Sequence, residues 1–169
     1  MNKKNVYIST TAPDASQLAV QYGLGIEIAE YCTAWNMDDE FTSTDAAVRI
    51  ELEGIERKVL HAPFNELFPC AIDRKARALA AERYRQTIGL AKTYGATKVV
   101  VHGGYNPWIY YPVWYVEQSI AFWKEFLKED PGVEPISSRR CSSRTSTGNT
   151  LTCLRLSARR ALQGSKARI

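Results

Sequence analysis

The stretch "TKVVVHGGYNP", residues 97–107, decides the fold, because an apolar run ends on a histidine and then turns at once. Three valines precede His102, and two glycines, a tyrosine, an asparagine and a proline follow it. Residues 57–69, "RKVLHAPFNELFP", repeat the pattern: a short apolar run ends on His61, and an alanine and a proline follow. His61 and His102 are the only two histidines in the chain.

Outward from these two stretches, strand-like and helix-like segments alternate four times up to residue 131. The predicted strands are "NVYIST" (5–10), "GIEIAEYC" (25–32), "KVLHA" (58–62) and "KVVVH" (98–102). The predicted helices lie within residues 11–25, 45–56, 72–96 and 113–130. This alternation predicts an α/β fold with a parallel sheet and right-handed crossovers. In such sheets functional side chains lie at the carboxyl ends of the strands, where both histidines are placed.

Composition divides the chain at residue 131. Its 169 residues are enough for one domain with a core. Residues 1–131 contain every aromatic residue and carry 14 Lys and Arg against 17 Asp and Glu, a net charge of −3. Residues 132–169 carry 8 Lys and Arg against one acid, Glu134, a net charge of +7. We predict a folded unit over 1–131 and a Ser/Arg-rich, poorly ordered tail over 132–169, and we interpret the tail as a shifted reading frame.

Several function classes are disfavoured by composition and motifs. The N-terminus lacks an apolar signal core, and two prolines break the richest apolar window (105–123), so we expect a cytoplasmic protein without a membrane span. The four cysteines lack metal-type spacing, and nucleotide-binding glycine motifs are absent. Nucleic-acid binding is disfavoured because residues 1–131 are net acidic.

Three side chains at successive strand ends are the first candidates for a site: Glu27, His61 and His102. A lone histidine is more often a hydrogen-bonded structural residue. Two histidines one βα repeat apart instead predict a shared site, and imidazole with carboxylate suits a borderline divalent ion such as Zn²⁺ or Mn²⁺. Glu30 is the alternative to Glu27 in the site. In a strictly alternating strand the two side chains point to opposite faces, so only one of them can belong to the site. We favour Glu27.

The loops after the two histidines add further candidates. Asn65 and Glu66 follow His61 and could reach the strand ends. Tyr105 and Trp108 begin an aromatic run after His102. Such rings stack on the apolar face of a sugar, but they would equally suit a loop packed over the barrel or a contact between subunits. The sequence leaves these alternatives open.

Three motifs together carry a resemblance to a known group of proteins. "YGLGIEIAEYC", "LHAPFNELFP" and "GATKVVVHGGY", in this order and spacing, resemble the xylose-isomerase-like TIM-barrel superfamily over about residues 4–131. That superfamily contains sugar (phosphate) isomerases and epimerases and the endonuclease IV group, AP endonuclease family 2. The resemblance implies an eight-stranded (β/α)8 barrel with a divalent metal (Mn, Zn or Mg) at its C-terminal mouth. His61 and His102 match positions that ligate zinc in the nuclease branch and more often face substrate in the sugar branch.

The sugar branch implies a sugar or keto-acid substrate and metal-assisted proton transfer next to a carbonyl. The required acids lie on strands five to eight, whereas only Glu134 and no Asp or His follows residue 131 here. We therefore expect a partial barrel of about four βα units, truncated and impaired or inactive as an isomerase or epimerase. The alternatives are an abasic-site nuclease relative and a non-catalytic half-barrel fragment. The open sheet edges of such a partial barrel predict a homo-oligomer.

Overall fold

A computed structural model describes residues 5–129 and 132–137 of the chain. It contains one sheet of five parallel strands in the order of the sequence. The strands are β1 (Tyr7–Ser9), β2 (Gly25–Ile28), β3 (Lys58–His61), β4 (Lys98–Val101) and β5 (Glu134–Ser137). The α-helices are α1 (Ala15–Tyr22), α2 (Phe41–Glu51), α3 (Arg74–Thr93) and α4 (Pro112–Phe126). Three-residue 3₁₀ helices cover Glu30–Cys32, Trp35–Met37 and Leu127–Glu129. The predicted α/β fold is confirmed.

β1, β3 and β4 are one to three residues shorter than predicted, and α2 covers Phe41–Glu51 instead of lying within 45–56. The strands differ most from the prediction in two places. β2 ends at Ile28 instead of running to residue 32, because the next amide, Ala29 N–H, donates to the Thr10 hydroxyl at 3.0 Å instead of a strand carbonyl. A fifth strand, β5, pairs in parallel with β4 on the far side of residue 131. The predicted domain division at that residue stays a prediction, and residues 138–169 of the predicted tail lie outside the described residues.

The register gives the sheet two different faces. One face, here called the covered face, carries Ile28, Leu60 and Val99 in one row across β2, β3 and β4. These side chains are 0–1% exposed and belong to the same core as buried side chains from the helices. Right-handed crossovers between neighbouring parallel strands place all connecting helices on this one face. Burial of apolar surface there provides the main driving force for folding.

The opposite face, here called the open face, carries polar strand residues alongside valines. Glu27, Val59, Lys98 and Glu134 form one row across β2 to β5. His61 begins the next row, in register with Val100. In a closed barrel this face would line the interior. Its Lys98 and Glu134 side chains are 35% and 51% exposed, so the described residues leave it partly open to water.

The longest described helix, α3, shows how the sequence sets the covered face. Asp73 caps its N-terminus by accepting a hydrogen bond from Lys75 N–H at 2.7 Å. Ala80, Tyr84 and Ile88 recur at helical spacing and are buried against the sheet, while charged residues occupy the other side. No helix in the described part of the chain combines the length and the apolar character needed to cross a membrane.

Leu60 provides a test of this core. It is 0% exposed at the centre of β3, whereas Ile50 on α2 is 76% exposed. We expect Leu60→Ala to lower the free energy of unfolding by about 2–5 kcal/mol, because it removes apolar contacts and leaves a cavity. Ile50→Ala, the matched control, should change it by less than about 0.5 kcal/mol. Urea unfolding followed by circular dichroism measures both, and equal losses would contradict this assignment of the core.

Candidate functional site

The two histidines meet on the open face. His61 is the last residue of β3, and His102 follows the last residue of β4. His61 lies in register with Val100, so His102 belongs one row further along the same face, about 6.6 Å along the strand direction. The side chains span this offset: their Nε2 atoms are 3.0 Å apart and their ring centroids 4.9 Å apart. The predicted pairing of the histidines is therefore present in the structure.

Hydrogen bonding assigns the protons of this histidine pair. His61 Nδ1 lies 2.8 Å from the carbonyl oxygen of Ala62, which can only accept, so Nδ1 carries a proton and donates it. In neutral His61 the Nε2 atom then has a free lone pair. His102 Nε2–H donates to that lone pair across the 3.0 Å contact. The pair thus presents one acceptor and one donor side by side.

Phe64 forms an apolar wall beside the pair. Its ring centroid lies 4.8 Å from that of His102 and 5.7 Å from that of His61. The phenyl ring is itself 40% exposed, so it retains free surface next to the imidazoles. Burial lowers the pKa of His102, and the neighbouring His61 lowers it further. Both effects favour the neutral imidazole, which is the form that accepts hydrogen bonds and ligates metals.

Helix α3 supports His102 from the covered side. The Tyr84 hydroxyl donates to the backbone carbonyl of His102 at 3.1 Å, and the Tyr84 ring stacks on Trp123. Gly103 lies directly against the Tyr115 hydroxyl, with no room for a β-carbon. The loop after β4 is therefore fixed where it leaves the sheet. The sequence pattern singles out neither Tyr84 nor Phe64, since neither contact has a signal in residue spacing.

The metal implied by the resemblance can be tested against these donors. Two nitrogen ligands of a tetrahedral zinc ion lie about 3.3 Å apart, close to the observed Nε2 separation. Two imidazoles therefore fit two positions of a borderline ion, and they fit Zn²⁺ or Mn²⁺ better than Mg²⁺, which prefers oxygen. Within residues 5–129 and 132–137, no group of three or more His, Cys, Asp or Glu side chains is arranged to hold a metal. The described residues thus supply two ligands and not a complete set.

Glu27 lies on the same face as His61 but one row deeper, in register with Val59. The alternation argument does not apply to Glu30, because the strand ends at Ile28 and Glu30 begins a 3₁₀ helix. Burial is the largest cause of the raised pKa of the Cys32 thiol, and the carboxylates of Glu30 and Glu27 raise this pKa further. The two acids therefore lie near one thiol.

The loop candidates are placed differently from one another. Asn65 is exposed on the loop after β3, and Trp108 is 95% exposed on the loop after β4. Tyr105 is half-buried, with its ring centroid 4.7 Å from that of Tyr115. Among the residues described, no hydrogen bond or ring contact joins Asn65, Tyr105 or Trp108 to the histidines. The structure thus brings together the two imidazoles and Phe64.

Comparison with known structures finds the same fold in larger proteins. A D-tagatose 3-epimerase-like protein shares 22% identity (TM-score 0.52; 78% of this chain, 51% of that one). The TTHB071 protein from Thermus thermophilus, in crystals soaked with ZnCl2, shares 20% identity (TM-score 0.57; 80% and 55%). A candidate sugar phosphate isomerase/epimerase from Anabaena variabilis ATCC 29413 shares 13% identity (TM-score 0.50; 79% and 53%). No protein-family model and no curated protein sequence matches the chain.

The present chain spans about half the length of the solved structures it matches. At these identities the similarity establishes a shared fold. It agrees with the partial barrel that the sequence predicts.

The lowered pKa of His102 predicts a pH-dependent stability. Below its ordinary pKa of about 6.5, the unfolded chain binds a proton at this position more readily than the folded chain does. The free energy of unfolding should therefore fall as the pH drops through about 6.5, until folded His102 also becomes protonated. His102→Gln should remove this contribution. Urea unfolding with EDTA at about pH 7.5 and about pH 5.5 measures it, and identical pH dependence in both proteins would contradict the assignment.

Proposed function

We propose that this chain forms the ligand-binding half of a sugar isomerase- or epimerase-like barrel. In this proposal His61 and His102 bind oxygen atoms of a small sugar or keto-acid. The observation that carries the proposal is the 3.0 Å contact between the two Nε2 atoms on the open face. The shared fold with a D-tagatose 3-epimerase-like protein and a candidate sugar phosphate isomerase/epimerase supports the substrate class.

The proton arrangement of the pair suits a hydroxy-carbonyl ligand. A ligand hydroxyl can replace His102 as the hydrogen-bond donor to His61 Nε2. The freed His102 Nε2–H can then donate to the adjacent carbonyl oxygen. Each imidazole thus keeps a hydrogen-bond partner when the ligand replaces their mutual contact, so little hydrogen bonding is lost.

The surroundings of the pair supply the remaining ligand contacts in this proposal. Phe64 offers its exposed ring to the apolar face of a sugar. Glu27, one row deeper, offers a carboxylate to a hydroxyl further along the ligand. Asn65, Tyr105 and Trp108 belong to loops after β3 and β4, and within the proposal they contact the ligand only from the rim.

In a metal-loaded form, which is also part of the proposal, His61 and His102 would hold a divalent ion through the same Nε2 atoms, and the ligand oxygens would bind the ion instead of the imidazoles. A bound ion would polarise ligand oxygens and so acidify the carbon next to a carbonyl. Isomerisation also needs a carboxylate or similar base within reach of that carbon. Because no third side chain of this kind is grouped with the pair in the described region, we expect binding with little or no turnover. No observation favours the abasic-site nuclease alternative.

Ligand binding can be tested on the full chain by long-range ¹H–¹⁵N spectra of the two histidines. We expect D-tagatose, D-fructose or hydroxypyruvate to shift both Nε2 resonances, because the ligand replaces their mutual hydrogen bond. His61→Gln and His102→Gln should each abolish saturable binding, whereas Ile50→Ala, a control on the exposed surface of α2, should leave it unchanged. Unshifted histidine resonances with all three ligands would contradict the proposal.

Zinc binding is a separate test. We expect calorimetric titration with ZnCl2 to show one site, and His61→Ala or His102→Ala to weaken it by at least about 10- to 100-fold, since each removes one of two ligands. Glu27→Gln should have a smaller effect, because Glu27 lies outside the pair. Mg²⁺ should bind more weakly than Zn²⁺. Zinc affinity that survives loss of both histidines would contradict this part of the proposal.

A further inference from the structure

The loops after β3 and β4 meet at Gly104. We call residues 62–72 the β3 loop and residues 102–111 the β4 loop. Gly104 has a φ of +63°, and a β-carbon at this position would lie 2.5 Å from the Leu67 carbonyl oxygen and 3.2 Å from Phe68 Cα. Both neighbours are backbone atoms, so no side-chain rotation could make room. The backbones of the two loops approach this closely only because residue 104 is a glycine.

Three further contacts hold the β3 loop in this position. The buried Cys70 thiol lies 4.0 Å from the Gly104 carbonyl oxygen. Trp114, at the start of α4, donates its Nε1–H to the Cys70 carbonyl at 3.0 Å. The rings of Phe68 and the buried Tyr110 are tilted against each other, with centroids 6.4 Å apart. The β3 loop is therefore packed against both the β4 loop and the first turn of α4.

The contact at Gly104 lies close in sequence to both members of the aromatic contact at the histidine site. Phe64 follows Pro63, which is fully buried, and Leu67, three residues after Phe64, is 4% exposed. The backbone is thus anchored on both sides of Phe64, whose ring remains 40% exposed. Gly104 lies two residues after His102. The 4.8 Å separation of the Phe64 and His102 ring centroids therefore depends on how closely the two loops approach.

We propose that Gly104 is a positioning residue for Phe64 in the histidine site. Because residue 104 lacks a β-carbon, the β3 loop packs directly on the β4 loop, and this contact sets the distance between the Phe64 and His102 rings. The contribution of the contact to ligand binding rests on the proposed function. The position of the Phe64 ring does not, and it can be measured without a ligand.

A turn that merely needs a left-handed residue is the simpler explanation of Gly104, and Gly23 separates the two explanations. Gly23 has the same φ of +63° at the end of α1, and among the described residues nothing beyond its chain neighbours lies within 4 Å of a β-carbon there. Alanine at either position would adopt the same unfavourable backbone conformation. Only at Gly104 would it also push two loops apart. Gly23 precedes β2, at the opposite end of the sheet from the histidines, so it provides a matched control.

Proton NMR of the full chain with EDTA at about pH 7.5, above the ordinary histidine pKa, measures the position of Phe64, because its ring current shifts the imidazole C–H resonances of His102. We expect Gly104→Ala to move these resonances toward their positions in Phe64→Leu, which lacks the ring. In the Phe64→Leu background, Gly104→Ala should cause no comparable change. It should also raise the dissociation constant of D-tagatose at least about 10-fold, since a displacement of about 1 Å is enough for such a loss. Gly23→Ala should change neither the resonances nor the dissociation constant.

Trp114→Phe tests the same packing at a second point. It keeps an aromatic ring but removes the Nε1–H donor to the Cys70 carbonyl, and it should move the His102 resonances in the same direction by a smaller amount. Circular dichroism melting shows which variants fold. Unchanged His102 resonances in folded Gly104→Ala, or in Trp114→Phe where Gly104→Ala does not fold, would overturn the proposal. Equal shifts in the control variant, or in the background without the Phe64 ring, would also overturn it. Shifted resonances in a chain that binds none of the sugars would support the positioning role and contradict the proposed function.

Discussion

The parallel ladder between β3 and β4 is the constraint on which the rest of this structure depends. Ala62 N–H donates to the Val100 carbonyl at 2.9 Å, and this bond fixes His61 opposite Val100. Side chains alternate between the faces with a period of two residues, so His61 and His102 emerge on the same face. A slip of one residue in either strand would turn one imidazole into the packed helices and leave the other without its partner.

What fixes that register is burial on the other face. Leu60 and Val99 lie side by side at 0–1% exposure and can be accommodated only on the side that the helices cover. Tyr84 adds a directional contact, because its hydroxyl meets the His102 carbonyl just where β4 ends. The apolar core therefore determines where the polar pair lies, and replacing a core residue would disturb the histidines without touching them.

The sequence was sufficient to predict the strand order, the helices and the proximity of the two histidines. These features follow from local periodicity and from the repeated pattern of an apolar run that ends on a histidine. It was insufficient for Phe64 and Tyr84, whose roles depend on ring positions set by packing between distant segments. The alternation argument does not extend to Glu30 for a local reason: Ala29 N–H donates to the Thr10 hydroxyl, and the strand ends before Glu30. From its residue type alone, Trp108 could equally be a buried ring that stacks on a sugar. Its 95% exposure in the structure shows that it is not buried.

The same arrangement that creates the histidine pair also leaves it incomplete. Parallel pairing of β3 and β4 brings two neighbouring strand ends together, but in a barrel the ligands opposite them come from strands across the interior. The chain covers only about half of each solved neighbour, and the described residues present Glu27, Lys98 and Glu134 on a partly open face. Exposed to water, an imidazole pair binds oxygen ligands in competition with solvent, whereas a covered pair would bind them in a low-dielectric site. Ligand affinity in this protein therefore depends on how far the open face is shielded from water.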